Sequence, residues 1–306
     1  MAPLAPVPTR PLSADRVLAV DIGGTKLRVG VVGADGEVLG ASTVATPRPA
    51  GGETLWEVLS SVVQEVLDLP VAAGVAACGV GCGGPMRAHG EAVSPLNIPG
   101  WRDFPLRSRL RSLTGLPTFV DNDAKALALA EGHFGSASGV RDYLAMVVST
   151  GVGGGLVVDG RLLDGRLGNA GHVGHVVVVP DGRRCACGAR GCLEAEASGT
   201  AIEVVTGRPA AEAPAWVIER TGTLVGRAVA SVAALLDLQL ALVSGSVALG
   251  FGAPFFAAAQ AELSARARLS FVADARVVPG ALGEDGPLVG AAAVGLRGIG
   301  LGAVQA

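Results

Sequence analysis

Apolar and polar positions along the chain fall into two rhythms. Residues 17–21 run apolar into Asp21. Gly23-Gly24-Thr25 interrupts, 26–32 resume, and 38–43 follow the turn Ala34-Asp35-Gly36. Short apolar runs bounded by turn residues predict a three-strand meander. Over 54–67 the period changes, with Leu55, Val58, Leu59, Val62, Val63 and Val66 at helical spacing. Residues 71–80 return to strand character and enter Gly81-Cys82-Gly83-Gly84-Pro85. A strand at 118–120 ends in Asp121-Asn122-Asp123, and 124–133 predicts a helix.

The second half repeats the opening. A strand at 143–149, a turn at Thr150-Gly151-Val152-Gly153-Gly154-Gly155 and a strand at 156–158 are followed by a helix at 215–236. A strand at 240–243 then ends in Ser244-Gly245-Ser246, before a helix at 255–267, a strand at 276–278 and a helix at 288–296. The recurrence predicts a duplicated α/β unit with mixed sheets, folded as two lobes around a cleft. The expected division is a smaller lobe of 16–121 with 288–306 and a larger lobe of 122–287, after a disordered Pro/Ala-rich tail at 1–15.

Composition narrows this picture. At 306 residues, 50% hydrophobic and 17% charged, the chain is globular and long enough for two domains. A net charge of −3 gives no footprint for nucleic acid or an anionic membrane. A mean hydropathy of +0.49 raises the question of a membrane span. The longest uncharged run, 240–259, contains Gly245, Gly250, Gly252 and Pro254, which suits a strand, a glycine loop and a helix instead. The first fifteen residues lack a basic start followed by an apolar core, so no signal peptide is expected, and free thiols place the protein in the cytoplasm. Of 24 basic residues only Lys26 and Lys125 are lysines, which makes each worth following.

Four motifs carry chemistry. Gly174-His175 followed by Cys185-Ala-Cys187-Gly-Ala-Arg-Gly191-Cys192-Leu-Glu194 gathers three cysteines and a histidine. Three cysteines cannot all pair, a Cys-x-Cys disulfide is strained, and thiolate with imidazole suits tetrahedral zinc, so His175, Cys185, Cys187 and Cys192 are expected to hold a structural zinc. The loop it pins presents His172 and Glu194. Asp21-Ile-Gly23-Gly24-Thr25-Lys26 offers backbone amides, a hydroxyl and a positive charge to a phosphate, with Asp21 placed for magnesium or its waters. Thr150, Gly151 and Gly153 form a second loop of this kind, and two facing loops would clamp a triphosphate. Asp121-Asn122-Asp123 sits at a strand end, where a carboxylate can take a hydroxyl proton or cap the next helix. Asn97 and Trp101 add a polar group and an aromatic face suited to a sugar ring, or a half-buried surface aromatic. Cys78 and Cys82 read as core thiols.

Together these motifs resemble the ROK family of sugar kinases and repressors, bacterial glucokinases among them, over nearly the whole chain. The loop from Asp21 to Lys26 is similar to its first phosphate motif, and the one from Thr150 to Gly155 to its second. Val120-Asp-Asn-Asp-Ala124 is similar to its catalytic segment, and the His/Cys pattern to its zinc signature. The resemblance implies the actin-like, hexokinase-like pair of lobes, a homodimer, and ATP with Mg2+. It implies Asp123 as the base for the sugar 6-hydroxyl. Gly84, Asn122, His172, His175 and Glu194 would contact the sugar, and the Gly245 loop the adenosine. The family's usual Ala-Gly-Glu-x-Gly-His reads Ala170-Gly-His172-Val-Gly-His175 here, Lys125 stands where asparagine is common, Gly83 where proline is, and Ser244-Gly245-Ser246 replaces a Gly-Gly pair. The implied reaction is phosphoryl transfer to a hexose, by default the 6-hydroxyl of glucose. The His172 replacement keeps N-acetylmannosamine, N-acetylglucosamine, kanosamine and allose open, and a catalytically dead sugar sensor is a further alternative. A repressor is not expected, because only about sixteen residues without basic or helical pattern precede the first phosphate motif.

Overall fold

The computed structural model describes residues 16–47, 51–302 and 304; the expected tail at 1–15 lies outside them. Three apolar runs form the opening meander, β1 (Arg16–Ile22), β2 (Lys26–Gly33) and β3 (Val38–Ala45). Next come α1 (Gly52–Leu67), β4 (Cys78–Cys82), α2 (Leu106–Thr114), β5 (Thr118–Asn122) and α3 (Asp123–Phe134). The second half begins with β6 (Tyr143–Val148), β7 (Val152–Val158) and β8 (Arg161–Leu162). After a long loop come α4 (Leu193–Ala197), α5 (Gly199–Thr206) and α6 (Ala215–Leu236). The chain then forms β9 (Leu240–Ser244), α7 (Ser246–Phe251), α8 (Ala253–Arg266), β10 (Arg276–Pro279) and α9 (Gly286–Gly298).

The two sheets have one wiring. The first runs β3-β2-β1-β4-β5 and the second β8-β7-β6-β9-β10, each with an antiparallel meander on one side and two parallel strands on the other. The expected duplication and its mixed sheets are therefore present, in the two-lobed actin-like arrangement. Each half closes with a helix that crosses to the other sheet. Leu288, Ala291, Ala292 and Leu296 of α9 pack on Val17, Ala19 and Val32 of the first sheet. Ala126, Leu129 and Ala130 of α3 pack with Tyr143, Ala145 and Val157 of the second. Alanine and glycine let these helices approach closely, and a Cβ on Gly290 would stand 3.0 Å from the Ala126 carbonyl carbon.

Four expectations change. The strand read at 71–80 is confined to Cys78–Cys82, because Pro70 opens a single 3-10 turn and Gly74, at φ +80°, turns the chain again. The glycine turn read at 150–155 ends at Gly151, and Gly153 to Gly155 are strand. Gly153 and Gly155 are glycines because α3 lies against them, a Cβ on Gly155 standing 2.7 Å from the Ala128 Cβ, while a Cβ on Gly154 would meet Val173 Cγ2 at 2.6 Å on the other face. Helices α2, α4, α5 and α7 were not anticipated, and α8 starts at Ala253 rather than 255. Among the described residues no helix is long and apolar enough to cross a membrane.

Candidate functional site

Register assembles the acidic end of the site. Asp21 pairs with Gly81, and Gly81 with Asp121, across the parallel strands β1, β4 and β5. The carboxyl ends of parallel strands are where open α/β sheets receive ligands. A Cβ placed on Gly81 would stand 3.6 Å from the Asp123 Cα and 3.9 Å from Asp21 Oδ1, so these two acids share a pocket.

The three residues of the Asp-Asn-Asp segment divide the tasks left open by the sequence. Asn122 is the helix cap: its Oδ1 accepts from the backbone N–H groups of Ala124 at 3.1 Å and Lys125 at 3.3 Å. Asp121 is buried and ion-paired to Lys125 Nζ at 2.8 Å. Asp123 opens α3, half-buried, with Oδ1 accepting from the Ala124 N–H at 2.9 Å. Burial lifts the Asp123 carboxyl above the usual range against its hydrogen bonds to Ala124 and Asn122, and the charge of Glu194 lifts it further. Burial, then the charge of Asp123, pushes Asp21 to about 7, while Lys26 and Arg28 oppose the rise.

The first glycine loop is a tight reversal. The Gly23 N–H donates to Lys26 O at 3.0 Å, and the buried Thr46 donates its hydroxyl to Gly23 O at 2.7 Å. Thr25 and Lys26 are exposed on it. Gly24 and Gly83 both lie against the Asn97 side chain, within 3.0–3.1 Å of where their Cβ atoms would be. The second loop, at Ser149 to Gly151, is bound to α5: Thr200 Oγ1 donates to Thr150 O at 3.0 Å and the Gly199 N–H to Ser149 O at 2.7 Å. Ser149 and Ser246 hydroxyls meet at 2.9 Å, which sets the Gly245 turn beside this loop. Gly245 has φ +99°, and a side chain there would strike Val148 O at 2.5 Å.

The His175 ring nitrogen and the sulfurs of Cys185, Cys187 and Cys192 lie within 4.8 Å of one another. Bonds of about 2.3 Å in a tetrahedron separate donors by about 3.8 Å. Here Cys187 and Cys192 sulfurs are 3.8 Å apart, and Cys185 Sγ is 3.6 Å from His175 Nδ1. All five cysteines are free thiols. The residues fit a Cys3His zinc with no open position, which is a structural site. Cys78 and Cys82 are fully buried, and burial pushes the Cys78 thiol up to about 12, as core thiols require.

The Cys3His cluster is wired to the rest of the site. Cys192 directly precedes α4, whose second residue Glu194 accepts at Oε2 from the Val152 N–H at 3.0 Å. Three residues before His175, the half-buried His172 ring sits 6.0 Å from the His175 ring. A Cβ on Gly84 would stand 3.3 Å from His172 Nε2 and 3.7 Å from Asn122 Nδ2, so Gly84, Asn122 and His172 converge. Burial and the neighbouring His175 hold His172 below the usual histidine range.

Trp101 is not at this surface. It is 0% exposed, stacks on Phe104 with centroids 4.3 Å apart, and donates Nε1–H to Gly52 O at 3.0 Å. Three supporting residues escaped the sequence reading. Asn169 clamps Met86, Thr46 holds Gly23, and buried Glu196 binds Arg183 and Arg220 at 2.7 and 2.6 Å, tying the zinc loop to α6. Glu196 was findable as a second acid in the Leu-Glu-Ala-Glu run; the other two had no signal in spacing.

Comparison with known proteins agrees with this arrangement. N-acetylmannosamine kinases of Citrobacter koseri and Escherichia coli are 39% and 37% identical over 250 residues, covering 77% of this chain and 84% of theirs. A ROK hexokinase from Thermus thermophilus superposes with a TM-score of 0.79 at 33% identity, covering 93% of this chain and 99% of its own. A ROK glucokinase from Streptomyces griseus, solved with glucose and AMPPNP, gives 0.80 at 29%, covering 92% and 99%. With the ROK family model matching residues 17–297 and the two lobes, the Asp-Asn-Asp segment and the Cys3His cluster in place, this chain belongs to the ROK family.

Proposed function

We propose that the protein is a MgATP-dependent sugar kinase whose preferred acceptor is N-acetylmannosamine or a close 2-acetamido relative. The kinase reading rests on one observation: Asp123 shares its pocket with Asp21 at the end of the first sheet, beside the loop Gly23-Gly24-Thr25. Asp123 takes the proton as the sugar 6-hydroxyl attacks, a contribution of roughly 10²–10⁴-fold in rate. Backbone amides of Gly23, Gly24, Thr150, Gly151 and Gly153, with Thr25 and Lys26, hold the phosphates, and Gly245 leaves space for the nucleoside. Asp21 is the hard oxygen donor that would face Mg2+ or its waters, and a bound cation would oppose the burial and the Asp123 charge that raise its pKa. Bound Mg2+ would neutralise charge on the β- and γ-phosphates. Closing the smaller lobe, 16–121 with 288–306, on 122–287 would keep water from the phosphate.

The acceptor reading rests on His172 and on the named activity of the relatives. Gly84, Asn122, His172, His175 and Glu194 form the sugar face, with His175 shared with zinc. A carboxylate only accepts hydrogen bonds, whereas a neutral imidazole can donate one. Nε2–H of His172 is suited to the carbonyl oxygen of an acetamido group, which a glutamate would repel. Glucose is the second reading, favoured by the likeness to the Streptomyces griseus enzyme.

The test is a coupled ADP-release assay with MgATP over N-acetylmannosamine, glucose, N-acetylglucosamine, kanosamine and allose. N-acetylmannosamine ahead in kcat/KM by about tenfold or more supports the proposal. Glucose ahead supports the second reading, and no sugar-dependent release at all leaves the dead sensor. His172→Glu is expected to shift preference toward glucose. Unchanged ratios across the panel would remove His172 from selectivity.

A further inference from the structure

Lys125 is 1% exposed and lies at the third residue of α3, where the helix dipole disfavours a cation. Burying an ammonium there is unfavourable unless each of its three N–H donors is met. All three are met: by Asp121 Oδ1 at 2.8 Å, Asp164 Oδ1 at 2.7 Å and Gly168 O at 3.2 Å. Arg297, near the end of α9, completes the group, reaching Asp164 Oδ2 at 3.0 Å and Asp121 Oδ2 at 3.5 Å. Two cations and two carboxylates balance. The cluster joins the β5–α3 junction, the end of α9 and the irregular loop that begins after β8.

That loop leads to His172. Its near end is held at Asp164, whose backbone oxygen also accepts from the Ala170 N–H at 3.0 Å. Its far end is held by Asn169, which accepts from the Met86 N–H at 3.1 Å and donates to Met86 O at 2.9 Å. Met86 comes directly after the Gly84-Pro85 turn, so the loop bridges the two walls that face each other at Gly84 and His172. The bonds of this cluster run to the β5–α3 junction, to α9 and to the loop that carries Asn169 and His172. The same ammonium therefore braces Asp121, next to Asn122 and Asp123, and the segment that delivers Asn169 and His172.

We propose that Lys125 is a positioning residue for the acceptor sugar: with Asp164 it holds the 163–172 loop so that His172 and Asn169 meet the Gly84 turn beside the Asp123 carboxylate. The proposal rests on the sugar-kinase reading above. Kinetics of wild type, Lys125→Met, Asp164→Asn and the double variant test it, each with the preferred sugar and with MgATP varied in turn. Lys125→Met is expected to raise the sugar KM by roughly tenfold or more while the MgATP KM moves by less than about twofold. The double variant is expected to fall short of the product of the single effects, because the two share the Lys125–Asp164 interaction. Sugar and MgATP KM values that move together, or a lowered melting temperature with an unchanged sugar KM, overturn the role. If Lys125→Met fails to fold, Asp164→Asn decides alone, since that carboxylate is 46% exposed. A sugar-selective rise supports the proposal and an unchanged sugar KM overturns it. Wild-type turnover separates the two claims: no turnover of any sugar overturns the kinase reading and this inference with it, whereas normal wild-type turnover with flat variants overturns only this one.

Discussion

The β1–β2 turn of the first sheet, Gly23-Gly24-Thr25, is flanked by Asp21 and Lys26, while its counterpart between β6 and β7 is the uncharged Ser149-Thr150-Gly151. The two turns close the same kind of hairpin in sheets of identical strand order. The segments beyond the two meanders differ as well. The first half passes through one helix before its parallel strands, whereas the second inserts the Cys3His loop, α4 and α5 before α6. The carboxylates Asp21, Asp121 and Asp123 thus come from the first half, and the imidazoles of His172 and His175, the latter in the Cys3His cluster, from the second. Duplication gives the two sheets one wiring, and the sequence of each hairpin decides its chemistry. In the proposed kinase a single reactive centre draws on both.

Removing the charge the first half supplies gives the largest effect. Asp123→Asn is expected to lower kcat by roughly 10²–10⁴-fold while sugar affinity, measured by calorimetry, stays within a few-fold. A near-normal kcat would end the assignment of Asp123 as base. Next in size is the metal loop of the second half. Cys185→Ser or Cys192→Ser is expected to lose the bound zinc, lower the melting temperature by about 5 °C or more, and cut turnover roughly 10–100-fold. Zinc-free wild-type protein with full activity would break the link between that loop and the site.

The pH profile sharpens the contrast further. Burial raises Asp123 above the usual carboxylate range, and only its deprotonated form accepts a proton. The kcat/KM is expected to fall on acidification at a pH above the ordinary carboxylate value of about 4. An acid limb at that ordinary value would contradict the buried environment. The smallest effect is on stability. The Asp21 carboxyl is raised from 3.8 to about 7 in the folded state, so its contribution is fully present below pH 3.8 and is lost as pH rises through about 7. Asp21→Asn, which does not titrate, is therefore expected to raise the melting temperature in metal-free buffer at pH 8 by a few degrees, with the gain shrinking toward pH 5. An equal change at both pH values would show that Asp21 is not held in this way.

The same contrast governs how much of the molecule was legible in its sequence. Strands β1 and β2 and helix α6 were legible because local pattern and burial coincide, and α6 spans Ala215–Leu236 as its pattern predicts. Helix α2 was hidden because only Leu106 and Leu110 are buried among its arginines. The glycines of β7 looked like a turn because the reasons for them, α3 against Gly153 and Gly155 and Val173 against Gly154, are long-range contacts. The Cys3His cluster was legible because thiolate donors are rare and close in sequence. Trp101 looked like a binding face because its stacking on Phe104 and its bond to Gly52 cannot be seen in spacing. The partners of Lys125, at Asp164 and Arg297, were invisible for the same reason.

A crystal structure with N-acetylmannosamine, AMPPNP and Mg2+ tests most directly the claim that both halves serve one acceptor. The account predicts the sugar 6-hydroxyl within hydrogen-bond distance of Asp123, the acetamido carbonyl at His172, and the phosphates along the Gly23-Gly24-Thr25 and Thr150-Gly151 loops. A sugar seated away from Asp123, or contacted by one half alone, would contradict it.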